Sequence, residues 1–176
     1  MFDHNMLQNL MSKAYSHASQ SPDLSSQNGA IIVKRQPNGQ LDVVAKGYNH
    51  FYKGIPDDQD DRVAKLRRIE HAERDAIYYA ANRGVELEGA IMVCPWAACC
   101  ECARAIIGSG IKALIYHRQR YMLTDSRWID QVNAALSWMG EAGVFLYELD
   151  GAITGTKPIL VSGKLWSPGS TEYVSN

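Results

Sequence analysis

The stretch "AIMVCPWAACCECARAIIGSGIKALIYH", residues 90–117, reads as a strand, a helix and a second strand. "AIMVC" and "KALIYH" are short apolar runs of strand length, and "CECARAIIGSG" between them is a helical run closed by glycine. Two neighbouring strands joined by a helix need a crossover connection, so they lie parallel in one sheet. That single unit makes the fold class α/β. It also holds all 4 cysteines of the chain, Cys94, Cys99, Cys100 and Cys102.

Working outward, "EHAERDAIYYAANRG" (70–84) predicts a helix ending at Gly84. Before it, "YNHFYKGIPDDQDDRVAKLRR" (48–68) carries mixed charge without a sustained period and reads as a long loop with a short helix near its end. "GAIIVKR" and "LDVVAKG" flank Asn38-Gly39, a strong turn pair, and predict an antiparallel hairpin. Met6, Leu7, Leu10, Met11, Ala14, Tyr15 and Ala18 recur at helical spacing over residues 4–19. On the other side, "SRWIDQVNAALSWMGEAG" predicts a helix and "VFLYEL" a strand, while the tail after Asp150 has no clear assignment. The expectation is a three-layer sandwich: a mixed central sheet of about five strands, parallel behind the initial hairpin, with helices on both faces. Residues 1–176 are expected to form one domain, with its core over 21–149 and a tail over 150–176.

Composition narrows the partners. Hydrophobic residues make up 46% and charged residues 21%, and the formal net charge is -1, which gives no electrostatic footprint for nucleic acid. A small-molecule partner is the better default. The N-terminus lacks a basic head followed by an apolar run, and no apolar stretch is long enough to span a membrane. A cytoplasmic location is therefore expected, and in a reducing cytosol clustered cysteines point to metal or reactive thiols rather than disulfides.

The spacing of those residues suggests which chemistry. Cys99 and Cys102 stand three apart, so on a first helical turn their sulfurs face the same way and can grip one ion, and the helix N-terminus favours the thiolate that binds metal. His71 supplies a third ligand. Three protein ligands leave the fourth tetrahedral position of a Zn2+ ion open, as in catalytic rather than structural sites. Glu73 is then a carboxylate placed to move the proton of an activated water. Cys94 and Cys100 lack such a relation and read as packing residues, and His4, His17, His50 and His117 as surface or packing residues.

"HAE" at 71–73 followed by "CCEC" at 99–102 resembles the zinc-dependent nucleobase deaminases. "SSQNGAIIV", "GYNHFYKG", "HAERDAI", "CARAIIGSGI" and "EAGV" resemble, in order, the motifs of the deoxycytidylate deaminase branch. The resemblance implies a cytidine-deaminase-like fold, one Zn2+ per chain, and zinc-assisted hydrolysis at C4 of the cytosine ring that releases ammonia and leaves dUMP. It also implies substrate contacts at Asn49, at the backbone of Ala72, and at Arg120 and Tyr121, and a Mg2+-nucleotide effector. A homo-oligomer, dimer or hexamer, is implied as well. The apolar stripe Trp128, Ile129, Val132, Ala135, Leu136 and Met139 is the expected interface. Ala98 stands where the family usually has proline. Asp75 stands where relatives often carry asparagine, and a carboxylate there would repel a substrate phosphate. The alternatives are deamination of a free nucleoside or of a base in tRNA or single-stranded nucleic acid, and a non-catalytic zinc-binding module.

Overall fold

The computed structural model describes residues 3–170 and 173. Its five-stranded sheet runs β2-β1-β3-β4-β5, with β1 Gly29–Arg35, β2 Leu41–Tyr48, β3 Ile91–Val93, β4 Ala113–His117 and β5 Phe145–Leu149. β1 pairs antiparallel with β2 and with β3, and β3, β4 and β5 are parallel, so the sheet is mixed and parallel behind the hairpin as expected. Asn38-Gly39 makes the turn, with Gly39 at φ 86°, and the ladder slips once between Ile32 and Val33.

Both faces of the sheet are covered, which is why the "GAIIVKR" strand reads as a continuous apolar run. Ala30, Ile32, Met92 and Leu114 face α3 Ala72–Ala81, α4 Cys100–Gly108 and α6 Ser126–Glu141. The alternate residues Ile31, Val33, Val93 and Ile115 face α1 His4–Ala18. Two glycines allow the helices to approach this closely. A Cβ on Gly29 would stand 2.4 Å from the Ala14 carbonyl oxygen of α1, and one on Gly47 would stand 2.4 Å from the Ala76 nitrogen of α3. Either substitution forces a helix off the sheet.

The tail that the sequence left unassigned forms a small hairpin, β6 Ile159–Val161 and β7 Lys164–Trp166. Ile159, Val161 and the fully buried Trp166 pack with α1 in the second core. His117 ties this layer together. Its Nε2 bonds to the Gly151 carbonyl at 2.8 Å, so that nitrogen carries the proton, and its Nδ1 accepts from the Tyr15 hydroxyl at 2.7 Å. A neutral imidazole satisfies both partners, and burial holds its pKa down.

Most of the apolar stripe of α6, though not Ile129, is spent inside the protein, contrary to the interface expectation. Val132, Ala135 and Met139 are buried, Leu136 packs against the same core, and Trp128 lines a cavity. The exposed apolar groups nearby are Trp138, at 42%, and Phe145, at 58%. Two short helices complete the chain: α2 Arg62–Arg68, foreseen at the end of the long loop, and α5 Arg118–Met122, which the sequence reading lacked.

Candidate active site

The registers bring the carboxyl ends of β2, β3 and β4, and the start of β1, to one edge of the sheet. In open α/β sheets that edge is where ligands bind. A cavity of about 290 Å3 opens there, and its wall includes Asn28, Asn49, His71, Ala72, Glu73, Trp96, Cys99, Arg120 and Trp128.

Two helices begin at its floor. His71 is the extended residue before α3 and Cys99 the extended residue before α4, and neither side chain caps its own helix. Both are free to point at each other's helix start. The His71 Nδ1 lies 3.5 Å from the sulfurs of both Cys99 and Cys102, and the three ligand atoms lie within 4.8 Å of one another. Zinc bond lengths of about 2.3 Å to sulfur and 2.05 Å to nitrogen, at a tetrahedral angle, place sulfur and nitrogen about 3.6 Å apart. Both S–N separations match a zinc ion held by these three side chains. Cys99 is lowered to about 3, chiefly by the hydrogen bond with Cys102, which itself is pushed well above its ordinary value.

Glu73 sits in the first turn of α3, 3% exposed, and burial pushes its carboxyl up from the ordinary value. Ala72 is fully buried at the same helix start, where the backbone N–H groups have no partner within the helix. Outside the ligands, Arg74 braces the two starts. Its Nε donates to Glu70 at 2.6 Å, its Nη1 to Glu101 of α4, and Glu70 also accepts the His71 N–H at 2.8 Å.

Aromatic and basic groups make the rest of the wall. Trp128 stands edge-on to His71, ring centroids 6.4 Å apart, and Trp96 stands edge-on to Trp128 at the same separation. Arg120, from α5, is 1% exposed, with its guanidinium carbon 4.1 Å from the centroid of the Trp96 ring. Among the described residues its Nε and Nη1 have no hydrogen-bond partner, and burial lowers its pKa to about 10. An uncompensated cation in such a place is costly unless an anion joins it.

The other predicted contacts divide. Asn49 is buried in the wall, but its amide is engaged by the protein: Nδ2 donates to Asp23 at 3.1 Å and to the Ser26 carbonyl at 2.8 Å, and Oδ1 accepts from the Asn28 N–H at 2.7 Å. Tyr121 is not on the wall. It packs against the core and donates to Asn133 at 2.7 Å. Asp75 is also off the wall, accepting from the Tyr48 N–H and bonding His50 at 3.1 Å each, so its carboxylate is directed at these two residues. Cys94 is buried and accepts from Asn28, and Cys100 bonds the Gln131 carbonyl, both in packing roles.

Sequence reasoning missed Trp96, Trp128, Asn28, Ser162 and the buried ion pair of Lys65 with Asp23, 2.5 Å apart at the wall. Trp96 stood beside the cysteines and could have been weighed. The ion pair joins residues 42 apart in sequence and had no local signal.

Residues 4–118 match the family model of the cytidine and deoxycytidylate deaminase zinc-binding region. A deoxycytidylate deaminase of Pongo abelii is 34% identical over 142 residues, covering 76% of this chain and 74% of that one. An uncharacterized deaminase of Aliivibrio fischeri is 32% identical over 126 residues, covering 70% and 80%. Among solved structures, the dCMP deaminase from cyanophage S-TIM5 in complex with dCMP and dUMP shares the fold. Its TM-score is 0.62 at 20% identity, over 84% of this chain and 99% of that one.

Proposed function

Because the chain belongs to the cytidine and deoxycytidylate deaminase zinc-binding family, we propose that it hydrolyses dCMP to dUMP and ammonia. The observation that carries this reading is Arg120, a buried cation with two unpartnered nitrogens on the wall of a cavity that also holds His71, Glu73 and Cys99. A free nucleotide brings the anion that such a cation lacks, and a nucleoside does not. The relatives named deoxycytidylate deaminase support the same substrate.

His71, Cys99 and Cys102 would hold the zinc, which when bound supplies a Lewis acid that brings the pKa of water toward neutrality. Glu73 takes one proton of the attacking water and delivers it to N3 of the ring as the C4–O bond forms and the C4–N3 double bond opens. The remaining hydroxyl proton passes through Glu73 to the amine, the bond from C4 to the amine breaks, the C4 carbonyl forms and ammonia leaves. The carboxyl is suited to both directions because burial keeps its two protonation states closer in energy than they are in water. The Ala72 N–H is placed to donate to the cytosine carbonyl. Trp128 and Trp96 supply flat apolar surface for the base and keep water from the reacting carbon. Asn49 bears on the nucleoside, and of the pair after β4 it is Arg120, rather than Tyr121, that serves the phosphate.

The test is ammonia release from dCMP, deoxycytidine and a single-stranded oligonucleotide in parallel. dCMP is expected to react fastest. Faster release from the oligonucleotide or from a tRNA overturns the substrate assignment.

The same reading takes residues 1–176 as one deaminase domain, cytoplasmic, homo-oligomeric as a dimer or hexamer, and answering to a Mg2+-nucleotide effector. The packing of β6 and β7 against α1 supports the single domain. Exposed Val63, Leu66, Trp138 and Phe145 offer apolar surface to a second copy. Among the described residues no helix is long and apolar enough to cross a membrane. Light scattering checks the assembly, and dCTP and dTTP titrations of the rate check the effector.

A further inference from the structure

The C-terminal hairpin lies outside the residues that match the family, 4–118, yet it is bonded along the cavity wall. The Gln27 N–H donates to the Leu160 carbonyl at 2.9 Å, and the Leu160 N–H returns to the Gln27 side-chain oxygen at 3.0 Å. At the turn, the Ser162 N–H donates to the Ser26 hydroxyl at 3.1 Å and the Gly163 N–H to the Ser25 carbonyl at 2.7 Å. Ser162 has φ 51°, the one non-glycine with positive φ among the described residues, and Gly163 follows at 76°. Val161 pairs with Lys164, so these two residues are the whole loop, in the left-handed conformation that tight hairpins require. That conformation frees both N–H groups from the hairpin and gives them to residues 25 and 26. Buried Val161 and Trp166 anchor the hairpin itself.

From Ser26 the connection runs inward. Its carbonyl holds one amide hydrogen of Asn49, Asp23 holds the other, and the Asp23 carboxylate also accepts the N–H groups of Ser25 and Ser26 at 2.7 and 3.0 Å. The plane of the Asn49 amide is thus set by the segment that the hairpin grips. We propose that the C-terminal hairpin is a positioning element of the substrate site, acting from Gln27 and the Ser162-Gly163 turn through Ser26 to fix Asn49 against the nucleoside. This rests on the dCMP reading above.

Gln27 is not on the cavity wall, so a change there reaches the substrate only by transmission. With the zinc-loaded full chain, Gln27→Ala, which loses the side-chain bonds to the Leu160 N–H and to the Ser21 carbonyl, is expected to raise KM for dCMP about three- to tenfold, with kcat within about twofold. Leu165→Ala, on the exposed side of β7 and off the cavity wall, keeps the turn and both N–H donors and is expected to leave KM within about twofold. A second measurement needs no variant. Binding of dUMP to the native protein should slow amide hydrogen exchange at Ser162 and Gly163 by about tenfold, because coupling between sites is reciprocal. A native KM in Gln27→Ala, an equal KM rise in Leu165→Ala, or unchanged exchange at the turn with dUMP bound each overturns the positioning role. Failure of the native protein to turn over dCMP is a different result: it sinks the substrate reading and this inference with it.

Discussion

Helices α2 and α6 begin on Asp61 and Asp125, whose carboxylates accept the first backbone N–H groups of each helix. Helices α3 and α4 begin on His71 and Cys99, whose side chains cap nothing. All four starts lie around the cavity, and the local rule for helix initiation is obeyed at two and broken at two. The broken pair carries His71, Glu73, Cys99 and Cys102, the residues proposed to do the chemistry. An uncapped start keeps its N–H groups and its flanking side chain available for a ligand, and the stability forgone is recovered by the ligand that joins them. Arg74, bonded to Glu70 and Glu101, holds the two uncapped starts together from outside.

That contrast breaks most severely if a proper cap is installed at a site helix. Cys99→Asp restores a capping carboxylate but removes a thiolate ligand. Zinc by metal analysis should fall from one per chain to trace levels and activity to background. Full zinc retention in this variant would remove Cys99 from the ligand set.

Glu73→Gln tests the same helix start without touching the ligands. The amide keeps size and hydrogen bonding but cannot carry the proton, so kcat should fall by about 10²- to 10⁴-fold with zinc intact. Near-native turnover would take Glu73 out of the reaction.

Arg120→Gln separates recognition from reaction. Loss of charge-assisted bonds to a phosphate should raise KM for dCMP about a hundredfold, with little change in turnover of deoxycytidine. Thermal stability should not fall, because among the described residues two of the buried guanidinium nitrogens have no hydrogen-bond partner to lose. A parallel loss on both substrates would show that Arg120 serves something other than the phosphate.

Asp61→Ala removes an ordinary cap. It should cost about 1 kcal/mol in chemical denaturation and leave zinc content unchanged. Loss of metal in this variant would erase the distinction between the two kinds of start.

The smallest effect lies away from the cavity, at His117. Its folded pKa is depressed by burial, while the unfolded chain takes up a proton near the ordinary 6.5. Its contribution to stability is therefore present above 6.5 and is lost as pH falls through that value, with a slope of at most about 1.4 kcal/mol per pH unit. His117→Gln should flatten this limb of the stability curve measured by denaturation between pH 7 and 5, and an unchanged limb would clear His117 of it.

Much of this was legible without coordinates. The β–α–β unit over 90–117, the hairpin at Asn38-Gly39 and the helices over 4–19 and 70–84 rest on periodicity and turn chemistry, which act over a few residues. The stripe on α6 was seen as a stripe, but its partner was misassigned. Amphipathicity says that a face is buried and not what covers it, and here the cover is the subunit's own core. Asp75 was misjudged for the same reason. Its helix position was readable, but its direction, toward Tyr48 and His50, was not.

By itself the sequence determined the class and the order of the elements through β5, apart from α5, and it pointed to His71, Cys99 and Cys102 as candidate ligands, because residues three apart on a first helical turn face the same way. Tertiary structure alone decided the rest. It placed Arg120 beneath Trp96, joined Lys65 to Asp23, turned Tyr121 away from the cavity, and laid the hairpin of residues 159–166 against Ser25, Ser26 and Gln27. Those relations join residues far apart in the chain, and they exist only once both faces of the sheet are covered and the loops at its edge have been brought together.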